Sequence, residues 1–211
     1  MSTLHNPQHL FHTGSSIADA ERIVLMVHGR GASAESILTL AQEFNVVDAA
    51  FIAPQATNNT WYPYSFMRPT DENQPWLDSA LSSLKSITDD LLSQGKRREQ
   101  IVILGFSQGA CLATEFTARN AGRWGGVVAF SGGLIGDRIR PETYSGDFAG
   151  TPVFLGCSDN DFHIPESRVH ESAKQLETLG ASVETIIYPG MGHTIIMDEI
   201  LKAQKIIDRA G

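Results

Sequence analysis

The sequence predicts an α/β fold, a compact and mostly parallel β-sheet with helices on both faces. Short apolar runs rich in Val, Ile and Phe alternate along the chain with amphipathic stretches, and this alternation is typical of βαβ units. Most of the runs are apolar throughout, as strands covered on both faces are. The length of 211 residues fits one domain over residues 1–211, since a domain of this class takes roughly 100 to 250 residues.

Six segments have the length and composition of strands. We expect the sheet to be built from Arg22 to His28, Ala49 to Ala53, Gln100 to Phe106, Gly126 to Ser131, Thr151 to Cys157 and Ser182 to Tyr188. A further strand is expected at the edge of the sheet around Leu10 and Phe11, where the glycine and serines of residues 14–16 follow it.

Helices are expected between the strands. Apolar residues recur at three- and four-residue spacing from Leu77 to Leu91. The same pattern runs from Val169 to Leu179, with Pro165 before it and Gly180 after it, as is common at helix ends. A last helix is expected from about His193 to Arg209.

Composition excludes several classes of function. The net charge is −8 and no stretch is rich in Lys or Arg, so we expect no nucleic-acid partner. No run approaches 18 apolar residues, so no membrane-spanning segment is expected. The first 20 residues contain no Lys or Arg and no apolar core of a signal peptide. The two cysteines, Cys111 and Cys157, imply no disulfide framework, and a reducing cytoplasm is the expected location.

Three histidines near the start of the chain would share one face of a helix. They are His5, His9 and His12, and no carboxylate accompanies them. We therefore expect a solvated N-terminal segment rather than a metal site.

The strongest functional signal is the pentapeptide Gly-Phe-Ser-Gln-Gly at residues 105–109. It follows the apolar residues 101–104 and precedes a helical stretch at 110–117, which is the context of a nucleophile elbow. A serine in so tight a turn needs neighbours with almost no side chain two positions before and after it. The pentapeptide predicts Ser107 as a nucleophile, and the alternative is an ordinary glycine-rich turn between strand and helix.

A serine hydroxyl needs a base, and the base needs an acid that orients it. In this fold they follow the serine in the order acid, then histidine. The strand at 182–188 ends in a glycine-rich loop that carries His193, the expected base. The loop after the preceding strand offers two carboxylates, Asp159 and Asp161, and either can instead cap the helix that begins near Pro165.

The loop after the first long strand reads His-Gly-Arg-Gly at residues 28–31. A backbone N–H of this loop can supply one donor of an oxyanion hole, and the N–H of Gln108, the residue after the nucleophile, supplies the other. His28 stands at the end of a strand, where a histidine is more often a buried structural hydrogen-bonding group than a catalytic one.

Together these motifs resemble the α/β-hydrolase superfamily, and specifically its carboxylesterase/phospholipase family, which includes the acyl-protein thioesterases. The resemblance rests on residues 28–31, 105–109, 161–165 and 192–193 and covers the chain from Arg22 onward. The family often has Leu at the position of Arg30 and Pro at the position of Phe162, so this chain departs from it beside two of the motifs.

The resemblance implies an α/β-hydrolase fold and a function for each motif. It implies a triad of Ser107, Asp161 and His193, in which Asp161 is preferred because the phrase at 161–165 mirrors the family's acid and helix start. It also implies an oxyanion hole formed by the backbone N–H groups of Arg30 and Gln108.

The resulting prediction is a serine hydrolase that cleaves small-molecule carboxylic esters or thioesters through an acyl-enzyme, with no metal and no organic cofactor. The residues expected to contact the substrate are Trp61, Tyr62, Phe66 and Met191, although the aromatic loop at 61–67 is alternatively a lid packed on the core. A peptidase or amidase on the same scaffold, and a non-catalytic binding module, are the alternative functions. The oligomeric state stays open, with a homodimer as one alternative.

Overall fold

A seven-stranded β-sheet runs through the computed structural model, which describes residues 4–211. The strands lie in the order β1-β3-β2-β4-β5-β6-β7, and β1 is antiparallel to β3 while all other neighbours are parallel. Their bounds are β1 Leu10–Gly14, β2 Arg22–Val27, β3 Ala49–Pro54, β4 Ile101–Phe106, β5 Gly126–Phe130, β6 Pro152–Ser158 and β7 Ser182–Tyr188.

The six strands predicted from apolar runs are all present, each within one residue of its expected ends. The edge strand around Leu10 and Phe11 is confirmed as β1. The mostly parallel sheet of the predicted α/β class is thus confirmed as well.

Five α-helices cover the two faces of the sheet. They are α1 Ala34–Leu38, α2 Trp76–Ser93, α3 Gln108–Arg119, α4 Glu166–Thr178 and α5 Met197–Arg209. Buried residues of α2, α3 and α4 pack on one face of the sheet, and those of α1 and α5 pack on the other. Side chains of a strand alternate between faces, so Leu25 of β2 joins the first group and Val24 joins the second.

The last helix begins at Met197, which corrects the expected start near His193. Ile196 is extended, with a φ angle of −116° and a ψ angle of 164°, so no helix that starts at His193 can run through it. Oε2 of Glu199 accepts a hydrogen bond from the backbone N–H of Ile196 at 3.1 Å and satisfies a free donor at the start of α5. His193 therefore lies in a loop, before the helix.

The expectation of a solvated N-terminal segment is wrong for one of its three histidines. His5 is buried, with its ring centroid 5.3 Å from that of Trp61 and 5.4 Å from that of Trp76. Its Nε2 lies 2.9 Å from the carbonyl oxygen of Trp61. His9 and His12 are exposed, as expected. The aromatic loop at 61–67 therefore forms part of the surface that buries His5.

The carboxyl ends of four parallel strands meet at one edge of the sheet, where ligands of such folds usually bind. The segment at 28–31 follows β2, Ser107 follows β4, Asp161 follows β6 and His193 follows β7. The fold thus collects all of the predicted catalytic residues at a single edge.

Candidate active site

Ser107 sits in the sharp turn between β4 and α3, with a φ angle of 55°. This is a region that few residues other than glycine adopt, so the turn carries backbone strain. A Cβ at Gly105 would clash with the backbone of Gly109, and a Cβ at Gly109 would clash with the carbonyl oxygen of Val27. The two glycines therefore let the chain turn and let α3 approach β2, which leaves the hydroxyl of Ser107 accessible.

Three side chains form a continuous line of hydrogen bonds at this edge. Nε2 of His193 lies 2.8 Å from Oγ of Ser107, and Nδ1 of His193 lies 2.7 Å from Oδ2 of Asp161. An ionised carboxylate only accepts hydrogen bonds, so the proton of the neutral imidazole belongs on Nδ1. Nε2 then presents its lone pair to the hydroxyl of Ser107.

The carboxylate of Asp161 is held from both sides. Its side chain has no exposed surface, and its Oδ1 accepts hydrogen bonds from the backbone N–H groups of His163 at 2.8 Å and Ile164 at 3.1 Å. Burial raises the pKa of Asp161, but the hydrogen bonds from His193 and from these two N–H groups outweigh it, and the net pKa is lowered. Asp161 is therefore ionised at neutral pH.

Asp159 has a different set of contacts. It is exposed, and its Oδ1 accepts a hydrogen bond from the backbone N–H of Gly190 at 2.9 Å. Nearby, the backbone N–H of Gly192 donates to Oγ of Ser158 at 3.0 Å. These two bonds attach the loop of His193 to the end of β6, so Asp159 supports the loop while Asp161 contacts the imidazole.

Two rings hold the imidazole of His193 in place. The centroid of Phe106 lies 5.0 Å from it in a tilted arrangement, and that of His163 lies 4.9 Å from it edge to face. His163 is exposed and was not singled out by the sequence. No sequence pattern marks it, because its contact depends on how the loops after β6 and β7 meet.

The backbone N–H groups of Arg30 and Gln108 are free to bind an oxyanion. Neither donates a hydrogen bond to any acceptor within residues 4–211. Gln108 is the first residue of α3, so its N–H is also one of the free donors at the positive end of a helix.

The side chains of the same two residues hold the aromatic loop. Arg30 donates from Nη1 to the carbonyl of Pro63 and from Nη2 to that of Tyr64, both at 2.7 Å. Gln108 donates to the carbonyl of Tyr62 at 2.8 Å and accepts from the N–H of Trp61 at 2.9 Å. These hydrogen bonds hold the aromatic loop in place as one wall of the site.

A cavity of about 410 Å³ opens above Ser107. Tyr62 and Phe66 line it, in agreement with their expected place. Trp61 does not line it, which corrects that part of the prediction, because its side chain turns into the core and its indole N–H donates to the carbonyl of His28 at 2.9 Å. Met191 is half-buried in the loop of His193 and does not line the cavity either.

His28 has the structural environment expected of it. It is buried, its Nδ1 lies 2.8 Å from the carbonyl oxygen of Gly29, and its Nε2 accepts a hydrogen bond from the backbone N–H of Ala56 at 3.1 Å. Burial lowers the pKa of the imidazole, which keeps it neutral. His28 thus ties the end of β2 to the start of the aromatic loop.

Both cysteines are buried and free. Cys111 lines the cavity, but burial raises the pKa of its thiol to about 12, and a neutral thiol is a poor nucleophile. Burial likewise raises the pKa of Cys157 to about 12. Both thiols are therefore poor nucleophiles.

Glu199 is a buried acid that the sequence did not reveal. Its side chain has no exposed surface, and its Oε1 has no hydrogen-bond partner among the described residues. Burial raises the pKa of the carboxyl to about 7. An acid three residues after a Ser or Thr would have indicated a capping box, but the residue at that position is Ile196.

Two structural observations bear on other classes of function. Across residues 4–211, no group of three or more His, Cys, Asp or Glu side chains is arranged to hold a metal ion. In the same part of the chain, the helices are too short or too polar to cross a bilayer.

Comparison with known proteins identifies the family. The sequence profile of the phospholipase/carboxylesterase family matches residues 10–210. The chain belongs to the phospholipase/carboxylesterase family. Acyl-protein thioesterase 1 of Saccharomyces cerevisiae is 27% identical over 208 residues, which cover 88% of this chain and 91% of that protein.

Two further relatives have names that describe carboxylesterases. The crystal structure of a phospholipase/carboxylesterase from Dyadobacter fermentans is 46% identical, covers 98% of each chain and superimposes with a TM-score of 0.93. A probable carboxylesterase of Arabidopsis thaliana, named SOBER1-like, is 25% identical over 86% of this chain and 76% of its own. This member of the phospholipase/carboxylesterase family is therefore a hydrolase with the α/β-hydrolase fold, and its relatives support ester or thioester hydrolysis.

Proposed function

We propose that the chain hydrolyses carboxylic esters and thioesters through an acyl-enzyme on Ser107. The observation that carries the proposal is the line of hydrogen bonds from Asp161 through His193 to Ser107, at 2.7 and 2.8 Å. Arg30 and Gln108, whose backbone N–H groups are free, line the same cavity as Ser107 and His193. This arrangement supplies a nucleophile, a base, an orienting acid and an oxyanion hole.

In the first half of the reaction, Oγ of Ser107 attacks the carbonyl carbon while Nε2 of His193 accepts its proton. The carbonyl oxygen becomes negatively charged and accepts hydrogen bonds from the N–H groups of Arg30 and Gln108. Asp161 stabilises the imidazolium without taking its proton. His193 then donates the proton to the departing alkoxide or thiolate, which leaves as an alcohol or thiol.

In the second half, water replaces the alcohol. His193 accepts a proton from the water, the hydroxide attacks the acyl carbon, and the proton returns to Oγ of Ser107 as the carboxylic acid leaves. The sum is one ester and one water converted to one acid and one alcohol, so no redox partner is needed.

The substrate meets the wall formed by Tyr62 and Phe66, since both line the cavity. The compartment that fits two free buried thiols is a reducing one, and we place the chain in the cytoplasm.

The test compares leaving groups and acyl chains in one panel. It uses 4-nitrophenyl esters from acetyl to palmitoyl, the N-acetylcysteamine thioesters of the same acids and the matching 4-nitroanilides. We expect turnover of esters and thioesters and little turnover of anilides, and the substitution Ser107→Ala lowers kcat by roughly 10⁴-fold or more.

Two results would overturn the proposal. Turnover of the anilides at rates similar to those of the esters would make the chain an amidase. Absence of turnover across the panel, with correct folding, would favour a binding module.

A further inference from the structure

Among the residues that the structure describes, the lining of the cavity above Ser107 includes an arginine and no acidic residue. Arg30, His163 and His193 are among its lining residues, and within residues 4–211 no Asp or Glu contributes to the lining. The chain as a whole has 24 acidic residues and 16 Lys and Arg, so the charge at the cavity is opposite in sign to the net charge of the chain.

Arg30 carries a charge that is fixed but not neutralised. Its two hydrogen bonds, to the carbonyl oxygens of Pro63 and Tyr64, use neutral acceptors. Across the described part of the chain no carboxylate pairs with its guanidinium within 4.0 Å. A guanidinium has five N–H donors, so three remain for a ligand.

The surroundings keep the guanidinium at the cavity. Its central carbon lies 5.9 Å from the centroid of the ring of Tyr62, which is itself a lining residue. The acid of the site does not cancel the charge, because the side chain of Asp161 has no exposed surface and is hydrogen-bonded to His193. An arginine already held in place loses little conformational entropy when it binds a ligand.

From this arrangement we infer that the preferred substrates are esters that carry a free carboxylate, and that Arg30 is the residue that binds it. The inference rests on the proposed function and narrows its substrate class. A carboxylate is the planar, two-oxygen group that matches the fork of a guanidinium, and a lysine or a backbone amide would not provide the same geometry.

The test uses substrate pairs of nearly equal size and shape, in which a carboxylate is replaced by a neutral carboxamide. One pair carries the charge in the acyl part, monoethyl succinate against ethyl succinamate. The other carries it in the alcohol part, acetoxyacetate against acetoxyacetamide. The readout is the ratio of kcat/KM for the anion to kcat/KM for its amide, which cancels general effects on catalysis.

In the wild-type protein we expect this ratio to reach about tenfold in one of the two pairs, the size of one charge-assisted hydrogen bond. Raising NaCl from about 20 to about 500 mM should lower it, since salt screens exposed charges. The substitution Arg30→Met should bring it to about one, and Arg30→Lys should keep it above one because the charge remains.

Arg97→Met is the matched control. Arg97 is exposed and precedes β4, whereas the site follows the opposite end of that strand. The variant changes the net charge by the same amount, so the ratio should stay at its wild-type value. A fall in the ratio in Arg97→Met would mean that net charge, and not Arg30, sets the preference.

Two other outcomes contradict the inference. A wild-type ratio of one or less in both pairs would remove the preference itself. A fall of both rates in Arg30→Met at constant ratio would mean that Arg30 only anchors the aromatic loop. Failure of the proposed function looks different. In that case the wild-type protein would not hydrolyse the ester bonds of the neutral substrates, ethyl succinamate and acetoxyacetamide, at all.

Discussion

Oδ1 of Asp159 accepts a hydrogen bond from the backbone N–H of Gly190 at 2.9 Å, which ties the loop that carries His193 to the loop that carries Asp161. Asp161, two residues further along, contacts the imidazole of His193 itself. Two carboxylates so close in sequence thus have different contacts, since one holds the loop of His193 and the other is hydrogen-bonded to its imidazole.

Asp161→Asn should therefore lower kcat by about 10⁴-fold. Oδ1 of Asp161 accepts two backbone N–H groups, so the amide oxygen of the new side chain would take that place and its NH₂ would face His193. Nδ1 would then accept instead of donating, and the proton would move to Nε2, which could no longer accept from Ser107. Steady-state kinetics with a 4-nitrophenyl ester measures the loss.

Asp159→Asn is the matched control for this prediction. The amide oxygen of the substituted side chain can still accept from Gly190, so kcat should fall by less than about tenfold, and any change should show in the melting temperature. If Asp159→Asn abolished turnover and Asp161→Asn remained active, the assignment of the acid would be reversed.

Gly109→Ala should destabilise the fold, although alanine is the better helix former by about 1 kcal/mol. The added Cβ would clash with the carbonyl oxygen of Val27. Both the carbonyl and the helix backbone that carries the Cβ would have to move apart, which would separate α3 from β2. We expect a cost of about 3 kcal/mol, or roughly 6 to 12 °C in melting temperature.

Gly29→Ala is the control for the clash at Gly109. A Cβ at Gly29 meets its nearest neighbours at 3.4 and 3.5 Å, which is ordinary contact. Its melting temperature should change by less than about 3 °C. Equal melting temperatures for the two variants in calorimetry would contradict the close approach of α3 to β2.

Glu199 should make stability depend on pH. Its pKa is raised by burial from 4.5 to about 7, so between these values the unfolded chain carries the ionised form and the folded chain the neutral one. Stability is therefore full below pH 4.5 and is lost as pH rises toward 7, by up to about 3 kcal/mol. Glu199→Gln stays neutral and removes the effect.

The measurement is the difference in melting temperature between Glu199→Gln and the wild-type protein. We expect the melting temperature of Glu199→Gln, minus that of the wild-type protein, to increase by roughly 5 °C or more from about pH 5 to about pH 8. Glu177→Gln, an exposed position of α4, is the control for the loss of one negative charge. A difference that stays constant with pH would argue against a neutral Glu199 in the folded chain.

The sequence predicted the strands because parallel strands buried on both faces are apolar throughout, and that signal is local. It predicted the positions of Ser107, of the two carboxylates Asp159 and Asp161, and of His193 for the same kind of reason, since each follows a strand. The preference for Asp161 came from the family resemblance at residues 161–165.

The predicted start of α5 was wrong because the N-cap residue is Ile196, and no serine or threonine at that position marks the start in the sequence. The hydrogen bond to the N-cap comes instead from Glu199, within the first turn of the helix.

The contacts of the aromatic loop were not readable from the sequence. Whether Trp61 or Tyr62 faces the cavity depends on bonds from Gln108 and His28, which lie far away along the chain. The burial of His5 depends on the same loop. Irregular segments have no side-chain period, so tertiary hydrogen bonds decide which of their residues face a site.

The central claim is that Ser107 is the residue that becomes acylated, and covalent labelling tests it most directly. A fluorophosphonate probe reacts with an activated serine, and mass spectrometry of the digested protein locates the adduct. We predict one adduct per chain, on the peptide that contains Ser107, with none in Ser107→Ala. An adduct on another residue, or labelling that persists in Ser107→Ala, would contradict the account.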